Sequence, residues 1–241
     1  VAIRDAAFTA VNIAPEISPA LDSALFAARF REKSRVHIPG VLTPESAMRL
    51  YECLHGQTPW TTVLSLGTDI RDAGRLSGQD RQKFALGAWE RARRVPQFFF
   101  DHHVLSRGGV ACPQPTHDLA QLAEFLNAPA FLALVRQLAG LDVSLHTDAE
   151  ATFFHPGDFD TLHDGRQLGG QGGIGFSLCF TPGWRPHWGG TLQFFAPSGH
   201  LEEGFLPGFN TLDVYRVESI YSVSPVATYG GFRYAIEGRL H

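Results

Sequence analysis

Sulfur is scarce in this chain of 241 residues. It carries one methionine and three cysteines, Cys53, Cys112 and Cys179, and no two cysteines form a CxxC pair. An odd cysteine count without a secretory leader does not make a disulfide framework, so a reducing, cytoplasmic setting is expected. The opening VAIRDAAFTAVNIAPEI lacks both the basic start and the apolar run of a signal peptide. No apolar stretch has the length of a membrane span, and no membrane partner is expected. The net charge of −4 provides no overall attraction to nucleic acid, which is excluded as an expected partner. Several catalytic signatures are also missing: there is no GxSxG elbow, no HExxH zinc helix and no cysteine beside a plausible histidine.

The remaining composition is that of an ordinary globule, with 44% apolar and 18% charged residues. This length suits one domain over residues 1–241, because an all-β barrel with packed helices often reaches it without splitting. Two textures divide the chain. From about residue 18 to 140 the pattern is helical. SPALDSALFAARFREKS and TPESAMRLYECLHG carry apolar residues at three- and four-residue spacing, the second with a Thr cap and Gly56 as its stop. Further helices are predicted across GQDRQKFALGAWERARRV, HDLAQLAEFL and APAFLALVRQLAG, and RVHIPG reads as a short strand. From about residue 142 to 241 the chain turns to strand-like runs punctuated by glycine and proline: VSLHTDAEATFF, GFSLCFTP, GTLQFFAP, NTLDVYRV, IYSVSPVA and FRYAIEGRL. The expected fold is α+β, a jelly roll supported by N-terminal helices. The glycine-rich GRQLGGQGGIG is expected to be a mobile loop. It does not open a helix after a strand, so it is not a phosphate cradle.

The order PGDF…LHDG, WRPHWGGTLQFF, GHLEEGF…PGFNTLDVYRV and IYSVSPVA…GGFRYAIEGRL resembles the prolyl-hydroxylase-like branch of the 2-oxoglutarate/Fe(II) oxygenases, whose fold is a double-stranded β-helix. The resemblance is clear from Ala149 to His241. It implies a His-x-Asp pair and a distant His holding iron, and an arginine anchoring the far carboxylate of 2-oxoglutarate by bidentate pairing. Carried over by position, the first ligand is His163, but the carboxylate position is Gly165 and the distal position is Tyr221. The anchor, twelve residues on (233 − 221), is Arg233 and is retained. Phe176 and Cys179 stand where the family often has Tyr and Asn, and each is read as the loss of a polar handle in the pocket.

A glycine at the carboxylate position is also the mark of the iron halogenases, which however keep both histidines. Tyrosine binds ferric iron as phenolate. A His163/Tyr221 pair completed by Asp164, Asp160 or His155 is therefore expected to suit Fe(III) better than Fe(II). The bland alternative is that Tyr221 fills the space of a lost metal, its hydroxyl bonded to His163 or to water. The run HTD, His146 to Asp148, matches His-x-Asp literally, but it precedes the PGDF turn, and its candidate partner His200 has no arginine at the right distance. His37, His55 and His117 read as surface or helix-end residues and His187 as part of a turn. FFFDHHVL reads as an edge strand whose His102 and His103, with Trp184, are candidate substrate contacts.

The resemblance thus implies an oxygenase-like enzyme acting on a small amino-acid-like or peptidyl substrate. Its cofactors are iron, as Fe(II) or Fe(III), and 2-oxoglutarate, bound through a non-standard metal site. The alternatives are a non-oxidative enzyme using His163 and Tyr221 as an acid–base pair, a halogenase-like variant, or an inactive binding protein.

Overall fold

The computed structural model describes residues 14–66, 69–141, 146–164 and 173–241, and it leaves the side chains of residues 162–164 outside that description. The predicted loop GRQLGGQGGIG falls largely outside the described residues, as does Gly165.

The five helices predicted from periodicity are present: α1 (Ser23–Lys33), α2 (Pro44–Gly56), α3 (Gly78–Ala92), α4 (His117–Leu126) and α5 (Pro129–Ala139). Four start where a short polar side chain accepts from an otherwise unpaired backbone N–H: Asp22, Thr43, Ser77 and Thr116. The fifth starts on Pro129 and stops at Gly140, whose φ of 65° is a left-handed conformation that glycine adopts without a Cβ clash. No single described helix is long and apolar enough to cross a membrane.

The strands in chain order are β1 (Arg35–Pro39), β2 (Thr61–Leu66), β3 (Asp69–Asp72), β4 (Phe98–Arg107), β5 (Val110–Ala111), β6 (Thr147–Phe154) and β7 (Phe159–Asp164). They continue with β8 (Ile174–Phe180), β9 (Leu192–Phe195), β10 (Leu201–Phe205), β11 (Phe209–Arg216), β12 (Ile220–Val223) and β13 (Arg233–Leu240). They form one antiparallel sheet, β1-β11-β8-β13-β6-β4-β7-β12-β9-β10, with the β2–β3 hairpin and β5 attached to β4. The sheet curls into a nearly closed barrel, the jelly roll expected from the second half of the chain. β13, the last strand, lies between β6 and β8 at the centre of one wall.

β4 departs from expectation. It is not an edge strand, since it pairs with β2, β6 and β7. The polar residues that suggested an edge are each paired through their side chains: Asp101 with Arg81, Thr62 and His155, His102 with Glu150, and His103 with Gln114. The β2–β3 hairpin, in the half read as helical, was not predicted either.

Strand alternation sorts side chains onto two faces. Ile174, Phe176, Leu178 and Phe180 of β8, Leu212 and Val214 of β11, and Ile236 and Leu240 of β13 join the helices in one large core. The opposite residues face the barrel interior, where Phe100, Phe154, Phe194, Tyr215 and Tyr221 form a second cluster. The helices thus cover one wall and leave the interior for polar chemistry.

A charge network ties α3 to the barrel. The Arg81 guanidinium reaches both Asp101 and Asp158, while Asp101 also accepts from His155 Nε2 (2.9 Å). Burial raises the Asp101 pKa, but the hydrogen bond from His155 and the charge of Arg81 outweigh it, and the net shift is downward. A lowered carboxyl pKa contributes stability above its unfolded value that is lost as pH falls through the folded value. Arg81→Met should lower the unfolding free energy by about 3 kcal/mol at neutral pH, because Asp101 and the more deeply buried Asp158, whose pKa burial pushes up to about 7, lose the guanidinium they share. In chemical denaturation that loss should shrink as pH falls, first near pH 7 as Asp158 protonates and then in the acid range where Asp101 does.

Candidate active site

The barrel interior holds a cavity of about 950 Å³. Phe98 and Phe100 of β4, Leu192 of β9 and Tyr215 of β11 make its apolar part. Its polar part comes from His102, Glu150, Asp160, Ser177, Tyr221, Glu237 and Arg239. A separate, mostly apolar depression of about 650 Å³ lies on the helical layer, between residues 14–19 and α4–α5; its polar lining is Glu16, Gln121 and Glu124, with no histidine, tyrosine or arginine.

Strand pairing brings two predicted site residues together. β12 runs antiparallel to β7, with Tyr221 the Cα partner of His163 and Val223 that of Asp160. The imidazole of His163 and the carboxyl of Asp164 lie outside the described side chains. Tyr221 is buried, 8% exposed, and lines the cavity, its ring 5.1 Å from that of Tyr215. Burial pushes its phenol pKa up to about 12 and the charge of Asp160 acts in the same direction, while hydrogen bonds with Arg239 and Tyr215 offset these only in part. The hydroxyl is therefore engaged with Arg239 and Tyr215. Of the groups considered as partners for His163 and Tyr221, Asp160 lines the cavity, whereas His155 is bonded to Asp101 and stacks on Phe153, whose face of β6 meets the helical core.

β13 supplies the charged wall. By alternation, Arg233, Ala235, Glu237 and Arg239 share its interior face. Arg233 is 1% exposed, with its guanidinium carbon 4.9 Å from the centre of the Phe154 ring. Its Nη2 donates to Glu237 Oε1 (2.8 Å) and more weakly to Ser177 Oγ (3.5 Å). Its Nε and Nη1 are buried without a hydrogen-bond partner among the described residues. The WGG sequence explains how chain passes so close to this arginine. Gly190, at φ 62°, sits where a Cβ would lie 2.9 Å from Trp184 and 3.4 Å from Arg233 Cδ. Trp184 donates its indole N–H to Gly189 O (2.9 Å) and packs beside the interior cluster.

The other predicted residues divide by strand parity. His102 faces the cavity, donating from Nδ1 to Glu150 Oε2 (2.8 Å), with Nε2 3.5 Å from Asp72. His103 points to the other face and bonds to Gln114. Phe176 is not a pocket residue. It lies in the core against the helices, because even-numbered positions of β8 face that layer. Cys179 does face inward, and burial pushes its thiol up to about 12. His37, read as a surface residue, is instead half-buried and joined to the fully buried Asp213 at 2.6 Å across the β1–β11 register. Asp148, of the literal HTD match, accepts from the Gly109 backbone (2.9 Å), and His200 is exposed between β9 and β10. Glu237, Arg239, Tyr215 and Asp213 were missed. The alternation in RYAIEGRL marks the first two, whereas Tyr215 and Asp213 join the site through sheet curvature.

This arrangement fits the acid better than the metal. Arg233 keeps two buried guanidinium nitrogens, Nε and Nη1, able to donate to an anion, while Nη2, the nitrogen shared by both bidentate edges, is held by Glu237. Among the described residues no group of three or more His, Cys, Asp or Glu is placed to hold a metal ion. The described side chains therefore do not by themselves make an iron site.

His102 offers a direct check of the electrostatics. Burial lowers its pKa, but the hydrogen bond and charge of Glu150, with help from Asp72, raise it above the usual 6.5. The stability this pairing contributes is complete below the unfolded value and is lost as pH rises through the higher folded one. Imidazole resonances followed by NMR should show His102 titrating above the normal range, and Glu150→Gln should bring it down.

Residues 149–241 match the family model of the 2OG-Fe(II) oxygenase superfamily. A search of the curated proteins returns no match. Among solved structures, a 2OG-Fe(II) oxygenase family oxidoreductase from Burkholderia pseudomallei superposes with a TM-score of 0.65 at 13% identity, covering 92% of this chain and 91% of that one. The IDO protein of Bacillus thuringiensis gives a TM-score of 0.52 at 9% identity, covering 92% and 95%. A prolyl 4-hydroxylase of Phytophthora capsici gives 0.51 at 13%, covering 90% of this chain and 61% of that one. At these identities the structures establish the fold. The sequence similarity to that superfamily spans residues 149–241, the stretch that carries β6 to β13.

Proposed function

We propose that the protein is a 2-oxoglutarate-dependent oxygenase-like enzyme that oxidises a C–H bond of an amino-acid-like or peptidyl small substrate through a non-standard metal site. The observation that carries this reading is Arg233, buried at the family's anchor position with Nε and Nη1 unpartnered among the described residues. Arg233 holds the distal carboxylate of 2-oxoglutarate. His163 and Tyr221, register partners on β7 and β12, mark the metal position. Iron, when bound, supplies oxygen activation and oxidative decarboxylation of the oxo acid. The chain's own contribution is binding and orientation. Phe98 and Phe100 exclude water from one side of the cavity, and Glu150 and Asp160 offer carboxylates to a substrate ammonium group. A cavity of about 950 Å³ suits a substrate of that size.

Anaerobic addition of Fe(II) and 2-oxoglutarate should give a weak metal-to-ligand absorption band, and oxygen should then yield succinate. Arg233→Gln should weaken 2-oxoglutarate binding about 30-fold, roughly 2 kcal/mol for a charge-assisted contact. The double replacement Gly165→Asp with Tyr221→His restores the family's ligand set and should raise succinate formation. Absence of both band and succinate, with activity untouched by chelator, contradicts the oxidative reading.

The state of Tyr221 favours a second reading. Its phenol is held neutral by burial and hydrogen-bonded to Arg239 and Tyr215, which suits a proton donor better than a phenolate ligand. With His163 it forms an acid–base pair for a non-oxidative isomerisation, elimination or cyclisation on an anion held by Arg233. Tyr221→Phe separates the two: it lowers bound iron if Tyr221 is a ligand, and abolishes turnover without altering metal content if Tyr221 is a proton donor.

A further inference from the structure

Glu237 occupies an unusual place for a carboxylate beside an anion anchor. It and Ser177 line the cavity, whereas Arg233 lies behind them, and both bond to the same guanidinium nitrogen, Nη2. An acid entering from the cavity therefore meets Glu237 before it meets Arg233. The pair sits on one strand four residues apart, so alternation places both side chains on the interior face, and the long arginine side chain reaches along the strand to meet Glu237. Other carboxylates that line the cavity act on Glu237, Glu150 of the adjacent β6 and Asp160 of the more distant β7, and both oppose a second anion. The remaining charges near Arg233 are Asp213 on β11, joined to His37 of β1.

We propose that Glu237 is a built-in competitor for the anion site, neutralising Arg233 in the resting protein and setting how tightly the distal carboxylate of an oxo acid is held. This rests on the reading of Arg233 as the anchor and adds a residue that opposes it. A lone buried arginine is a costly group in the empty protein and a strong anion site. With its own carboxylate in place it is stable when empty and weak until that carboxylate yields. Removing the charge of Glu237 while keeping its shape therefore has two opposite effects: the empty protein loses stability, and the site gains affinity.

The test is calorimetric titration of 2-oxoglutarate into the full chain with chelator present, paired with thermal melting with and without the acid. Glu237→Gln should bind at least tenfold more tightly than wild type, melt at a lower temperature without the acid, and gain more from its addition. Glu150→Gln, which removes a carboxylate that does not touch Arg233, should change affinity by less than threefold. Equal affinity in Glu237→Gln and wild type, with binding lost in Arg233→Gln, overturns the competitor role and leaves the anchor intact. Undiminished binding in Arg233→Gln removes the anchor itself, and the competitor with it. Failure of wild type and Glu237→Gln alike to bind overturns both.

Discussion

Arg233 lies inside the barrel almost without access to water, and its charge is met by Glu237 from the same strand. A buried guanidinium that had lost the carboxylate bonded to it would cost several kcal/mol, which is a large share of the stability of a single domain. The barrel therefore has to carry its compensation within its own walls. β13 does so through an alternation in which Arg233, Glu237 and Arg239 face inward while Tyr234, Ile236 and Leu240 face the helices. One strand thus anchors the core to the helical layer and also provides the charged wall of the cavity.

The cavity is consequently divided. On one side Phe98, Phe100 and Tyr215 exclude water; on the other, carboxylates and arginines balance one another at short range. Low polarity on the first side strengthens every charge interaction on the second. Tyr221 belongs to both, with its ring among aromatics and its hydroxyl bonded to Arg239 and Tyr215. The substitution of a phenol at a position where the family resemblance implies an imidazole therefore fits its surroundings, because the neighbouring strands supply both an apolar bed and polar partners.

Much of this was legible in the chain. Each helix announced itself by an apolar stripe, and α2 also by its Thr43 cap and Gly56 stop; the caps Asp22, Ser77 and Thr116 came to light only in the structure. The strands of the second half were marked by alternation between glycine and proline breaks. The order of PGDF, WRPHWGG and PGFNTL pointed to the barrel, and Arg233 was found by its distance from Tyr221. Legibility failed where a segment depends on partners far away in sequence. FFFDHHVL looked like an edge because three polar residues follow three aromatics, yet each polar group is met by a side chain from another element, up to 54 residues distant in the case of His155. His37 looked exposed for the same reason, its partner Asp213 being 176 residues away.

Local sequence by itself determined the helices, most of the strands and the retained arginine, because caps, periodicity and turn residues act over a few positions. Tertiary structure alone decided which face each strand presents to the cavity, and hence that Phe176 packs against helices while Glu237 guards Arg233. The physical reason is that the facing of a strand is set by register with its neighbours and by which side the helical layer covers, and a one-residue slip in either reverses every side chain on it.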